Sequence, residues 1–146
     1  MRLRNYKIYL KKIKAQCRLM GLKIKWVKDM SCYGEYNPNK RTITIARNQS
    51  ESEKISTLLH EMGHFIDDTR NPNRFAMKYH FHGYGKLEKE YAVLTVNQKD
   101  AVMRAEMSAW KNARALARQL KIPLGKWFYT DETRCLNTYR PIRTAG

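Results

Sequence analysis

Leu58-Leu59-His60-Glu61-Met62-Gly63-His64-Phe65-Ile66 is the stretch that decides how the rest of the chain is read. It contains a His-Glu-x-x-His motif whose spacing is a matter of coordination chemistry. Residues i and i+4 of a helix lie one turn apart on the same face. His60 and His64 can therefore offer two imidazole nitrogens to one Zn²⁺, with Glu61 beside the metal. Neutral imidazoles leave zinc a strong Lewis acid, and an open coordination position lowers the pKa of a bound water towards ~7. Glu61 is then the candidate general base, taking a proton from that water as it attacks a carbonyl. A chance match in a chain of this length is on the order of one in a hundred, and it need not fall on a helix.

This match reads as helical. Ser50 is the candidate N-cap, and Glu53 three residues later completes a capping box. Ile55, Leu58, Leu59, Met62 and Ile66 recur at three- and four-residue steps and form a core stripe. The pattern predicts a helix over residues 51–68 that ends before the breaker pair Asn71-Pro72. His60 and His64 project away from Met62, towards a cleft.

A catalytic zinc takes three protein ligands and keeps one position open. Glu106 is the first candidate for the third. Residues 98–120 read as a long helix with Val102, Ala105, Ala109, Ala113, Leu116 and Leu120 on one face. At about 100° per residue Glu106 falls inside that apolar sector. An ionised carboxylate there is costly unless a cation or hydrogen-bond donors meet it. Ala105, Ala109 and Ala113 are small enough to let this helix pack closely beside the motif helix. A metal bridging the two helices would account for the glutamate; a salt bridge to one of the many basic residues is the other account. The rival ligand is His82, in Tyr79-His80-Phe81-His82-Gly83-Tyr84-Gly85, at a distance from the motif that some zinc proteases also use. His80 and His82 are candidate oxyanion donors as well.

Charge is the second signal. Lys and Arg number 29 against 13 Asp and Glu, a formal net charge of +16. Residues 1–28 hold ten basic residues and no acidic one, and five more lie between Glu106 and Asp131, again without an acid. Residues 1–20 read as an amphipathic helix with Leu3, Tyr6, Leu10, Ile13, Cys17 and Met20 on the apolar face and Gly21 as its stop. Lys7, Lys11, Lys14 and Arg18 stripe the other face. A solvated basic face is the ordinary explanation, but a charge of this size also favours polyanions through steering and counterion release. Nucleic acid is therefore a candidate partner for the N-terminal and 111–126 segments. No run approaches a membrane-spanning length, and the N-terminus lacks the apolar core of a secretory signal. Cys17, Cys32 and Cys135 are odd in number and widely spaced, which argues against a disulfide framework and a cysteine metal site. These features point to the cytoplasm.

The fold class expected is α+β in one domain over residues 1–146. Residues 22–27 and 41–46 alternate as strands, with a turn at Asn37-Pro38-Asn39 between them. A short helix is expected near 86–94. Trp127-Phe128-Tyr129 reads as an apolar cluster after Pro123-Leu124-Gly125, and a last helix starts at Thr130 and carries Leu136 and Tyr139.

With these residues in view, the chain resembles the small zincin-type metallopeptidases of the ImmA/IrrE kind, phage-encoded relatives included. The likeness spans about residues 22–120. It rests on His60-Glu61-Met62-Gly63-His64, on Glu106-Met107-Ser108-Ala109-Trp110-Lys111-Asn112-Ala113, and on Tyr33 to Ile45. It implies His60, His64 and Glu106 as ligands of Zn²⁺, Glu61 as general base, and a minimal zincin-like domain whose second helix supplies the third ligand. It also implies that the strand from Thr42 to Ile45 is an exposed sheet edge that pairs with an extended peptide, since such an edge offers unpaired N–H and C=O groups. Many members carry Asn or Asp four residues after the glutamate, where this chain has Trp110. Tyr139 sits in a Leu-x-x-Tyr-Arg end similar to that of phage-like relatives. It has two readings, packing and donation to the oxyanion of the tetrahedral intermediate, the latter worth ~3 kcal/mol where such donors have been removed.

The expectation is a zinc-dependent metallopeptidase acting on a protein or peptide substrate, with no membrane partner. Two other readings stand beside it: a basic nucleic-acid-binding protein on a zincin scaffold, and a protease of DNA-bound proteins similar to SprT-like enzymes. The last would use His82 as ligand in place of Glu106.

Overall fold

A computed structural model describes residues 2–28, 30, 33–71 and 95–145, the last six of these by backbone alone. His80, His82 and the helix expected over 86–94 lie outside the described residues. So does Cys32.

Helix α1 (Tyr6–Met20) turns Tyr9, Ile13 and Cys17 into the core and leaves Lys7, Lys11, Lys14 and Arg18 exposed. It stops at Gly21, whose φ of 74° is in the left-handed region that costs glycine nothing. Leu22 N–H then reaches back to Cys17 O at 2.8 Å, closing the helix end.

Strands β1 (Lys23–Val27), β2 (Gly34–Asn37) and β3 (Thr42–Ala46) form a sheet of order β1-β3-β2. β1 runs parallel to β3, with Ile24 opposite Ile43, and β2 runs antiparallel to it, with Tyr36 opposite Ile43. This corrects one expectation. Thr42 to Ile45 is the central strand and not an edge, because both of its sides are hydrogen-bonded and Ile43 and Ile45 are fully buried. The strand that covers it, β2, has only four residues and includes Gly34 and Asn37, which are poor strand formers. β2 packs along the motif helix: a Cβ on Gly34 would stand 2.6 Å from Thr57 Cγ2, and Tyr36 meets Phe65 edge-to-face at 6.0 Å.

Helix α2 (Glu51–Arg70) carries the motif. Its capping box is complete, with Glu53 N–H donating to Ser50 Oγ and Ser50 N–H to Glu53 Oε1. Helix α3 (Val96–Gln119) has a second capping box, Thr95 with Gln98, and buries Val102, Ala105, Ala109, Ala113 and Leu116. Helix α4 (Lys126–Ala145) begins four residues before Thr130, so Trp127, Phe128 and Tyr129 are helical. Asp131 looked like a residue of the first turn. It is instead a buried acceptor for Ser56 Oγ of α2 and for Arg134 within its own helix. Phe128 is fully buried and seats α4 in the same core as the sheet, α2 and α3. Among the described residues the architecture is thus α+β, four helices around a small mixed sheet.

Candidate metal centre

The site lies on the seam between α2 and α3, and the seam is tight for a specific reason. A Cβ placed on Gly63 would lie 2.0 Å from Ala109 O and 2.8 Å from Ala109 C. Glycine is the residue that lets the backbones approach this closely. The carbonyl of Gly63 accepts from Asn112 Nδ2 at 3.1 Å, and one turn further along α2 Asp67 Oδ1 accepts from Ser108 Oγ at 2.8 Å. Three polar contacts therefore step along the seam, the third being the glutamate.

Glu106 reaches across to both histidines. Its Oε2 stands 2.8 Å from His60 Nε2 and 3.3 Å from His64 Nε2. His60, His64 and Glu106 each offer a ligand atom within 4.8 Å of the others, a group that can hold a metal ion. Neighbouring donors in a tetrahedral zinc site with bonds of about 2.0–2.1 Å are about 3.3 Å apart. The His64–Glu106 spacing matches this, and the His60–Glu106 spacing is that of a hydrogen bond, within a small side-chain adjustment of it. Two imidazoles and one carboxylate are also the right chemistry for a borderline-soft divalent cation. The residues fit.

The electrostatics of the site follow from burial and charge. Burial alone would lower His60, but the Glu106 carboxylate and then Glu61 outweigh it and push its pKa up to about 10. His64 is raised for the same reason, Glu106 again outweighing burial. Burial would raise Glu106, yet the two histidines hold its carboxyl well below the usual range. The shifts of the two histidines and of Glu106 thus have one cause, the mutual attraction of imidazolium and carboxylate. A metal needs neutral imidazoles, so its binding must displace the imidazolium protons.

Glu61 is buried beside the histidine pair, its Oε1 3.4 Å from His60 Nδ1. Tyr139, on α4, donates its hydroxyl to Glu106 Oε1 at 2.8 Å, the oxygen not turned to the histidines. Trp110 lies one turn after Glu106 and stacks on His60, with ring centroids 4.3 Å apart and planes within 11°. Of the residues singled out by sequence, His60, Glu61, His64, Glu106 and Tyr139 therefore gather at one place, while His80 and His82 lie outside the described residues. His60, expected to face a cleft, is only 8 % exposed because the indole covers it.

Sequence reasoning missed Gly63, Asn112 and the Ser108–Asp67 pair as builders of the seam. Gly63 had a signal, a glycine in the middle of a well-capped helix, where it costs about 1 kcal/mol relative to alanine unless packing requires it. For Trp110 the spacing gave only the side of α3, one turn after Glu106, and not the ring it would stack on.

Residues 20–105 match the family Peptidase_M78, the IrrE N-terminal-like domain. The matched span holds the sheet, α2 and the first part of α3, and it ends one residue before Glu106. No curated protein and no solved structure matches the chain significantly. The family match covers more than half of the sequence and contains the His-Glu-x-x-His helix, which α3 meets with a buried carboxylate. The chain therefore belongs to the ImmA/IrrE-type zincin metallopeptidase family.

Proposed function

We propose that this peptidase is zinc-dependent, with His60, His64 and Glu106 as ligands, Glu61 as general base and a peptide bond as substrate. One observation carries the reading: two imidazole Nε2 atoms four residues apart converge on one oxygen of a buried carboxylate from another helix. A divalent cation held there would supply Lewis acidity towards a peptide carbonyl and make a water easier to deprotonate. Glu61 accepts the proton of the attacking water and returns it to the leaving amine. Its carboxylate is buried, with His60 Nδ1 as a neighbour at 3.4 Å. Tyr139 stands at the same centre. To stabilise an oxyanion its hydroxyl would have to leave Glu106 Oε1.

Metal content measured on the wild type beside Glu106→Ala and Glu61→Gln tests this. About one zinc per chain in the wild type and in Glu61→Gln, none in Glu106→Ala, and a loss of peptide hydrolysis on the order of 10²–10⁴-fold in Glu61→Gln support it. Normal turnover by Glu61→Gln would sink the mechanism.

The setting we propose is the cytoplasm. The two described cysteines, Cys17 and Cys135, are free, and no helix among the described residues is long and apolar enough to cross a membrane.

A second reading concerns the charge. Lys12 Nζ donates to Lys121 O at 3.4 Å, which brings the two acid-free basic segments onto one surface. Exposed Lys11, Lys14 and Arg18 of α1, Arg118 in the last turn of α3 and Lys121 after it belong to these segments. We propose this surface as a contact for nucleic acid. Binding to a DNA duplex that weakens steeply with added salt supports it, and no binding at low salt removes it.

A further inference from the structure

The three ligands and the base account for His60, His64, Glu61 and Glu106, but not for the two aromatic residues pressed against them. Trp110 and Tyr139 are both buried, at 3 % and 7 % exposure, and both lie outside the span matched by the family. Each touches a different ligand in a different way. The Trp110 indole lies flat on the His60 ring, and its far side is fixed by Phe128 of α4, edge-to-face at 5.4 Å. Its N–H is buried beside the Cys135 thiol of α4. Towards His60 the indole offers its face, not its polar edge. Tyr139 does the reverse: its ring sits in the core, and its hydroxyl is spent on Glu106 Oε1.

We propose that Trp110 and Tyr139 are positioning residues of the metal centre. The indole face fixes the plane of the His60 ring, and the phenol fixes the Glu106 carboxylate with Oε2 turned to the histidines. The physical basis is the same for both. A ligand free to rotate loses that freedom when the metal binds, and a group that already holds it removes the cost. Metal ligands are commonly held by hydrogen bonds from the surrounding protein; here one of the two holders is an aromatic face. The geometry requires both helices. Trp110 follows Glu106 by one turn of α3, so ligand and clamp approach His60 together. Tyr139 follows Cys135 by one turn of α4 and cannot reach Glu106 unless Phe128 seats that helix. This inference rests on the reading of His60, His64 and Glu106 as ligands.

The test is metal affinity, by chelator competition, with the visible absorption of the cobalt-substituted protein as a second readout. Tyr139→Phe keeps the ring and loses the hydroxyl, and its zinc affinity is expected to fall about 10- to 100-fold with a shifted cobalt spectrum. Trp110→Leu is expected to fall similarly, and Trp110→Phe, which restores an aromatic face, to recover most of the loss. Ser50→Ala, at the N-cap of α2 ten residues before His60, is the control for mere destabilisation: its melting temperature drops while affinity and spectrum stay. If Glu106→Ala abolishes binding but Tyr139→Phe and Trp110→Leu bind zinc and cobalt like the wild type, the positioning role is overturned and the ligand set survives. If Glu106→Ala binds zinc normally, the ligand set falls and this inference with it.

Discussion

The candidate metal centre has two walls of different making. On the α2 wall His60, Glu61 and His64 owe their places to helical periodicity within five consecutive residues, backed by a capping box at Ser50. On the α4 wall Phe128 and Tyr139 owe theirs to docking, with Asp131–Ser56 and Glu132–Arg114 as the polar ties that hold the helix down. α3 stands between the two and serves both, since Glu106 answers the histidines with one oxygen and Tyr139 with the other. A short motif can thus specify which atoms meet a metal, whereas the stiffness with which they are held depends on contacts tens of residues away. Damage to the first wall should remove the site, and damage to the second should loosen it.

Gly63→Val gives the largest effect expected from this comparison. Its first side-chain carbon would stand 2.0 Å from Ala109 O, a backbone atom that cannot swing aside. The α2–α3 seam must open, which takes Glu106 away from the histidines. Overpacking of a core commonly costs about 1–3 kcal/mol, and a backbone clash belongs above that range. Chemical denaturation and metal content are both expected to show the loss. A stable Gly63→Val protein with one bound zinc would mean that the seam is not what sets the ligand spacing.

Phe128→Ala probes the other wall. Removing a fully buried phenylalanine costs about 3–5 kcal/mol, and α4 should come loose. His60, His64 and Glu106 lie on α2 and α3, so the folded fraction should still take up one zinc when the metal is saturating. Uptake followed by calorimetry checks this. Complete loss of the zinc site would erase the distinction between the two walls.

How much of this could be read from the chain follows the same division. The motif helix, its cap and the buried sector that holds Glu106 are local patterns, and the apolar faces of α2 and α3 follow them. β2 did not announce itself, because four residues containing Gly34 and Asn37 read as turn; missing it turned a central strand into an edge. The start of α4 was misplaced because Thr130-Asp131-Glu132 resembles a helix N-terminus, while Asp131 is held by Ser56, 75 residues away. Trp110 was noticed only as a departure from the family's habit. Its stacking on His60 is a tertiary fact, since both the partner and the side of the ring are chosen by another helix.

Asn112→Ala sharpens the comparison at lower cost. It removes the bond to Gly63 O and leaves a carbonyl without that donor in the buried seam. About 1–2 kcal/mol is expected in urea unfolding. Ser108→Ala, which removes the donor to Asp67, should cost a similar amount. The two contacts lie on one helix pair, so a double-mutant cycle is expected to show coupling between them. Strict additivity would mean that each bond acts alone and that the seam does not close as a unit.

The smallest effect is expected from Ser50→Ala, and it separates the stability of a helix from the geometry of its site. The hydroxyl of Ser50 accepts from Glu53 N–H, and the Glu53 carboxylate answers on the Ser50 N–H. Loss of the hydroxyl leaves one of the first amides of α2 without its acceptor, a cost of about 1 kcal/mol. Ser50 precedes His60 by ten residues, nearly three turns, and the intervening Ile55, Leu58 and Leu59 are fully buried. Packing therefore holds the motif turn even where the first turn frays. Unfolding should begin at lower denaturant with zinc affinity unchanged. Should affinity fall in step with stability, the motif turn would be drawing its order from the helix end, and the α2 wall would be less self-contained than its spacing implies.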